Sequence, residues 1–334
     1  MKRVGVIGSG VIGRWHVEQW QHLPVEIAGF YDVQPQQAQA MQADFGGQVY
    51  GSLDALVADV DIVDICSITP AHKEGVLAAA AAGKAIVCEK PLARTVADCE
   101  TMIAACKAAN VPLFVAQVVR FFPQFARAKA VIESGAIGTP GVIRTVRAGS
   151  APAWDTRAWF HNFEQSGGVV MDLGIHDIDF QRWCCGEVER VFARCLNVDQ
   201  TLHKDHALIS LRFVSGAVGH IECSWAHPVG GFRTRIEIAG TEGLIEWDSQ
   251  GERPLRSTII KNGKATHSHA SPLAREDDPY YQELAHFLDC LENDKPFLVS
   301  PHDGLMAVKV SQAILASMKR GEPVTVAEFK EESA

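Results

Sequence analysis

The chain has 334 residues, more than one hydrophobic core usually serves, so two domains are expected. Hydrophobic residues make up 47% and charged residues 21%, the range of a folded soluble protein. A formal charge of −9 opposes a general nucleic-acid or anionic-membrane surface, and no run of about 18 apolar residues offers a membrane span.

In MKRVGVIGSG the glycines break the apolar stretch before it becomes a signal-peptide core. Residues 1–119 alternate short Val- and Ile-rich runs with helical stretches. RVGVIG, VEIAGFY, VDIVDICSI, KAIVCEK and VPLFVAQ read as buried strands of a parallel sheet. GRWHVEQWQHL, QPQQAQAMQADF, HKEGVLAAAAAG and TVADCETMIAACKAAN read as the helices between them. Strand, helix, strand in this order implies right-handed crossovers, an α/β doubly wound domain of the Rossmann kind. The alanine run at 78–82 fits a helix lying close on a sheet and stopped by Gly83.

The first turn carries chemistry. Gly8, Gly10 and Gly13 fit G-x-G-x-x-G between a strand and a helix. The first permits a tight turn, the second lets a pyrophosphate approach the backbone, and the third lets helix meet strand. Unpaired N–H groups at the helix start then face the phosphates. The second strand ends in Tyr31-Asp32, and Asp32 lies 19 positions past Gly13, close to the ~20 at which an acid binds a ribose diol. A carboxylate there repels a 2′-phosphate, and no arginine follows in DVQPQQ, so NAD is expected rather than NADP.

Residues 120–330 have another texture, an α+β domain on an open, mostly antiparallel sheet. RFFPQFARAKAVIESGAIG reads as a helix ended by Gly135. HALISLRF and AVGHIECSW alternate around a Ser215-Gly216 turn, and RTRIEIAG and GLIEW form a second pair. DDPYYQELAHFLDCLEN and HDGLMAVKVSQAILASMKRG are late helices, expected on one side of that sheet. His267 and His269 fall in a polar stretch read as a solvated loop. In SGGVVMDLGIHDIDF, Asp172 and His176 stand four apart, on one face of a helix. Gly167 and Gly168 precede them, and Gly174 interrupts the helix at about 1 kcal/mol against alanine. Asp177 and Asp179 are expected on the helix surface or behind the site. On spacing alone the Asp172–His176 pair is either a salt bridge or a proton-transfer site. Two ligands with no third at a recognisable spacing do not make a metal site, so no metal is expected. Nine scattered cysteines without a C-x-x-C pair suit free thiols and a cytoplasmic location.

CEKPLA at 88–93, with the glycine turn before it and D-x-x-x-H after it, resembles the Gfo/Idh/MocA family of oxidoreductases over nearly the whole chain. The resemblance implies a Rossmann domain followed by an α+β domain whose open sheet makes a homodimer or homotetramer. It also implies an NAD-dependent dehydrogenase acting on a CH–OH group of a sugar, inositol or related polyol. The implied catalytic residues are Lys90, Asp172 and His176. The implied cofactor contacts are Gly8, Gly10, Val11, Ile12, Gly13, Asp32, Ser67, Thr69, Pro70, His72, Glu89 and Lys90. Arg120 matches the family's arginine before F-x-P, although Gln117, Val118 and Val119 replace the residues that often precede it. Arg120, Trp154, Arg157, His161 and Asn162, with Asp172, His176 and His227, are the expected substrate contacts. The chemistry suits these roles. His176 accepts the hydroxyl proton, Asp172 orients it or binds a neighbouring hydroxyl, and Lys90 donates to the carbinol oxygen. Two other activities of such chains stay open: a glycosidase-like enzyme using transient oxidation, and a non-catalytic dinucleotide-binding regulator.

Overall fold

A computed structural model describes residues 1–151, 159–160, 162–197, 205–228, 231–251, 256–261, 264–269 and 277–331. The chain divides into two compact units, one of residues 1–121 with 275–305 and one of 122–274 with 306–334. The division falls inside a late helix.

The first unit is built on β1 (Lys2–Ile7), β2 (Val25–Tyr31), β3 (Gln48–Val49), β4 (Ile62–Ile65), β5 (Ala85–Glu89) and β6 (Leu113–Ala116). They form one parallel sheet in the order β3-β2-β1-β4-β5-β6. Crossover helices are α1 (Val11–Trp20), α2 (Pro35–Phe45), α3 (Leu53–Asp59), α4 (His72–Ala81) and α5 (Val96–Ala109). β4 and β5 are buried at every position, which is why they read as unbroken apolar runs rather than alternating ones. The Ser52 and Thr95 hydroxyls cap α3 and α5 by accepting N–H groups from Ala55 and Asp98, both at 3.1 Å. The sheet order reverses between β1 and β4, and doubly wound sheets take ligands at the strand ends beside such a switch point.

The second unit opens with α6 (Pro123–Glu133), β7 (Pro140–Ala148) and the short α7 (Phe163–Ser166). A π-helical turn at Val170–Gly174 then leads into α8 (Ile175–Cys185). Next come β8 (Val188–Asn197), β9 (Asp205–Phe213), β10 (Val218–Ser224), β11 (Arg233–Gly240), β12 (Gly243–Asp248), β13 (Arg256–Lys261) and β14 (Lys264–His269). The remaining elements are α9 (Pro279–Asn293), α10 (Pro301–Arg320) and β15 (Val324–Thr325). The nine-stranded sheet runs β14-β13-β12-β11-β7-β10-β9-β8-β15. Its pairs are antiparallel except β7 with β10. α8 and the π turn lie against β7 and β10.

Three expectations need correction. α9 belongs to the first unit: Phe287 meets the Trp20 ring edge-on at 6.3 Å and the Phe114 ring at 5.8 Å. Its apolar stripe of Leu284, Phe287 and Leu288 demands a partner surface but does not say which. His267 and His269 lie in strand β14, not in a loop. For Asp177 and Asp179 only the surface alternative is excluded: both are buried, because α8 is covered on nearly every side.

Candidate active site

The glycine turn after β1 is required by its own geometry. Gly8 has φ +96°, and a side chain there would lie 2.5 Å from the Ser67 backbone nitrogen. A Cβ on Gly13 would stand 2.1 Å from the Gly8 carbonyl oxygen. A Cβ on Gly10 would meet nothing within 4 Å. Two of the glycines therefore close the turn, while the third keeps open the space over the first turn of α1. Val11 is exposed and Ile12 half-buried in that turn. Asp32, at the end of β2, is buried and accepts the Ser9 N–H at 2.9 Å and the Gln34 N–H at 2.8 Å. The buried hydroxyls of Ser9 and Ser67, at the ends of β1 and β4, have no hydrogen-bond partner among the described residues. Open space, N–H groups at a helix start, an acid at the end of β2 and two unpartnered hydroxyls fit a dinucleotide.

The segment after β4 is a 3₁₀ turn, Thr69–Ala71, with Thr69 buried and Pro70 exposed. His72 differs from its expected role as a direct cofactor contact. It is 1% exposed, with Nε2 3.0 Å from the Ser67 carbonyl and Nδ1 3.0 Å from the Pro91 carbonyl. Burial pulls this histidine below its ordinary range against the pull of those carbonyls. The ring lies between the Ser67 loop and the Lys90 turn, and with a single N–H it donates to one of the two carbonyls at a time. Lys90 is half-buried at the end of β5, and its peptide bond to Pro91 is cis.

Behind Lys90 lies a cluster that the sequence reading missed. His16 of α1 is fully buried, with Nδ1 3.0 Å from Asp64 Oδ2 and Nε2 3.1 Å from Glu89 Oε1. The Trp20 indole donates to the same Asp64 oxygen at 2.7 Å, and the Lys90 N–H donates to Glu89 Oε2 at 3.0 Å. A neutral imidazole has one N–H, so it cannot donate to carboxylates on both sides; the protonated ring can. Burial opposes that charge, but the Asp64 carboxylate against the ring favours it, and His16 titrates well above an ordinary histidine. Glu283 of α9 brings a third carboxyl within 4.8 Å of the His16 and Glu89 ligand atoms. Burial and the Glu89 charge push Glu283 well above the carboxylate range. A signal was available: Gly13, His16, Val17 and Trp20 form the buried stripe of α1.

Arg120 is 3% exposed; its guanidinium donates to the Leu298 carbonyl at 2.8 Å and pairs with Asp303 at 3.1 Å. Those contacts fasten the approach to α10.

In the second unit, Gly167 and Gly168 have φ +74° and +64°, a double left-handed bend that non-glycine residues resist. The π turn follows at once, and π turns recur at functional sites. Asp172 lies within it and is half-buried; His176 lies in the first turn of α8 and is 9% exposed. Gly174 has a packing reason, since a Cβ there would meet Cys223 Sγ of β10 at 3.1 Å. Next to His176, Asp177 accepts from buried Arg147 at 2.6 Å. Asn162 is exposed and caps α7, its Oδ1 accepting from Gln165 N at 3.4 Å. His227 is half-buried just after β10. Trp154, Arg157 and His161 lie outside the described residues. All nine cysteines are free thiols, and only Cys195 is exposed. Among the described residues, no helix is long and apolar enough to cross a membrane.

The switch-point turn and its acid define a dinucleotide-binding protein of the Rossmann class. Comparison with known proteins narrows this. Residues 2–117 match the model of the oxidoreductase family with an NAD-binding Rossmann fold, and residues 125–246 match the GFO/IDH/MocA C-terminal domain. The chain belongs to the GFO/IDH/MocA family of NAD-binding oxidoreductases. It is 35% identical to myo-inositol 2-dehydrogenase of Thermotoga maritima, over 98% of this chain and 99% of that protein. It is 29% identical to D-apiose dehydrogenase of Paraburkholderia graminis, over 98% of this chain and 90% of that one. A crystal structure of an Agrobacterium radiobacter oxidoreductase with NAD⁺, L-tartaric acid and magnesium matches with a TM-score of 0.87 and 28% identity. That match covers 98% of both chains.

Proposed function

We propose that the protein is a dehydrogenase that oxidises a secondary alcohol of a sugar, inositol or related polyol. The observation that carries this reading is a complete dinucleotide turn in a chain that also sets Asp172 and His176 on a π-turned helix start. The names of the T. maritima and P. graminis relatives support the substrate class. NAD, when bound, supplies the hydride acceptor. His176 takes the hydroxyl proton as general base. Asp172, one turn earlier, orients His176 or binds a vicinal hydroxyl. Lys90 donates to the carbinol oxygen and stabilises negative charge developing there. Asp32 holds the adenosine ribose through oxygens already fixed by the Ser9 and Gln34 N–H groups.

The second unit binds the polyol and carries the contact with a further copy of the chain. Along β9, Ala207, Ile209, Leu211 and Phe213 are buried, while Leu208 faces outward, as do Leu196 on β8 and Val218 on β10. Apolar side chains on an open sheet face call for a partner.

Incubating the protein with NAD and a panel of inositols and free sugars, and following NADH absorbance, tests the reading. NADH accumulating in proportion to alcohol consumed supports it. Turnover without NADH accumulation would point to transient oxidation, and NAD binding without turnover of any polyol to a regulator; either overturns it.

A further inference from the structure

His16 sits on α1, three residues past the last glycine of the dinucleotide turn. Its ring reaches Glu89, and the other oxygen of Glu89 accepts the N–H of Lys90. One chain of contacts thus joins the helix that receives the phosphates to the turn that carries the lysine. Asp64 closes it from behind on the second ring nitrogen and is itself held by the Trp20 indole. His16, Trp20, Asp64 and Glu89 are buried, and every member lies within the first unit.

Stability alone does not account for such a cluster. Burying a cation between two carboxylates carries a desolvation cost, and apolar side chains of similar volume often replace a buried ionic group at no loss. The surroundings offer that alternative, since the Trp20 ring lies against Asp64 and buried Val87 stands beside Asp64 on the neighbouring strand. What apolar residues would not provide is a fixed acceptor for the Lys90 N–H. Glu89 lies at the very end of β5, where the backbone leaves the sheet and its ladder no longer sets the direction of the chain. A carboxylate clamped on one oxygen by an imidazolium has its second oxygen aimed in one direction.

We propose that His16 is a positioning residue: through Glu89 it fixes the backbone of Lys90, and so the lysine ammonium, relative to the dinucleotide turn. The proposal rests on the reading of Lys90 as the donor to the carbinol oxygen. Glu89, assigned by resemblance to the cofactor, serves in this account as the link between His16 and Lys90. Reach to an alcohol oxygen is sensitive to small displacements, and misplacing a positioned group by about 1 Å costs on the order of 100-fold in rate.

The test uses the full chain with His16→Leu, Glu89→Leu and Glu89→Gln, measured by amide hydrogen exchange at Lys90 and by steady-state kinetics. Glutamine retains both contacts, its oxygen accepting from Lys90 and its amide facing a neutral His16. His16→Leu and Glu89→Leu are expected to speed exchange at the Lys90 amide at least about tenfold, with exchange in β6 unchanged. kcat is expected to fall about 10- to 100-fold with KM for NAD within about threefold, and Glu89→Gln is expected to recover most of both. If the leucine variants do not fold, His16→Ala and Glu89→Ala, which leave room for water, take their place with the same expectation. Unchanged Lys90 exchange and unchanged kcat in a folded His16 variant would overturn the positioning role. Lys90→Ala run alongside separates the two ideas. Wild-type turnover in that variant would overturn the role of Lys90 in the reaction, whereas the exchange measurement on the other variants judges the clamp by itself.

Discussion

Replacing Gly10 and Gly13 separately by alanine should split the dinucleotide turn into its two functions. At Gly13 the new methyl would lie 2.1 Å from the Gly8 carbonyl oxygen and 3.5 Å from Cys66 Cβ. The obstacle is backbone and cannot rotate away, so the turn must move by about 1 Å, an overpacking cost near the upper end of about 1–3 kcal/mol. Alanine returns about 1 kcal/mol of helix propensity, leaving a net loss of roughly 2 kcal/mol. For a unit of this size that is a drop of about 4–8 °C in Tm. Gly10→Ala is the opposite case. Its φ of −81° is open to any residue, and nothing stands within 4 Å of the new methyl. The apo protein should therefore keep its stability to within about 1 kcal/mol, the scale of a changed N-cap. The methyl would instead occupy the room left for a pyrophosphate, and affinity for NAD should fall at least about tenfold, which is 1.4 kcal/mol. Thermal melts with and without NAD, together with a direct titration, measure both quantities. The reasoning fails if Gly13→Ala melts with the wild type, or if Gly10→Ala binds NAD with unchanged affinity.

Other expectations follow from single groups. NAD should raise Tm at lower concentrations than NADP does, and Asp32→Ser should narrow that gap; equal response of the wild type to both cofactors would contradict the role of Asp32. Glu283 gives a pH signature. An unfolded glutamate ionises near 4.5 while the folded one keeps its proton well above that, so unfolding releases a proton between those two points and rising pH destabilises the wild type. The slope reaches at most about 1.4 kcal/mol per pH unit. Glu283→Gln removes it, so its gain in Tm should be larger at about pH 8 than at about pH 5, and a gain independent of pH would refute the assignment. Leu208→Glu on the outward face of β9 should lower the mass seen by light scattering at micromolar concentration. A wild type that is itself monomeric would contradict the proposed contact.

Most of the first sheet was legible in the sequence because its signals are local. Each strand is a short apolar run, each helix has a stop, and Gly8, Gly10, Gly13 and Asp32 follow a spacing set by one turn and one crossover. β7 was not legible. Its inward residues are Ile143, Thr145 and Arg147, and the arginine is buried only because Asp177 comes from α8 to meet it. A strand whose core face carries a charge does not alternate in the usual sense. The His16 cluster escaped for a similar reason, since its members come from α1, β4, β5 and α9 and meet only when the sheet is assembled. Asp172 and His176 were visible as a spaced pair, but the π turn that bears the first of them has no sequence period of its own.

The central claim is that Asp172 and His176 move a proton rather than hold a helix, and His176→Ala tests it most directly. kcat and Tm should be measured on the same preparation with a polyol that the wild type oxidises. The account predicts a fall in kcat of about 10²–10⁴-fold, with Tm and affinity for NAD little changed. A variant with lowered Tm and near-normal turnover would contradict it.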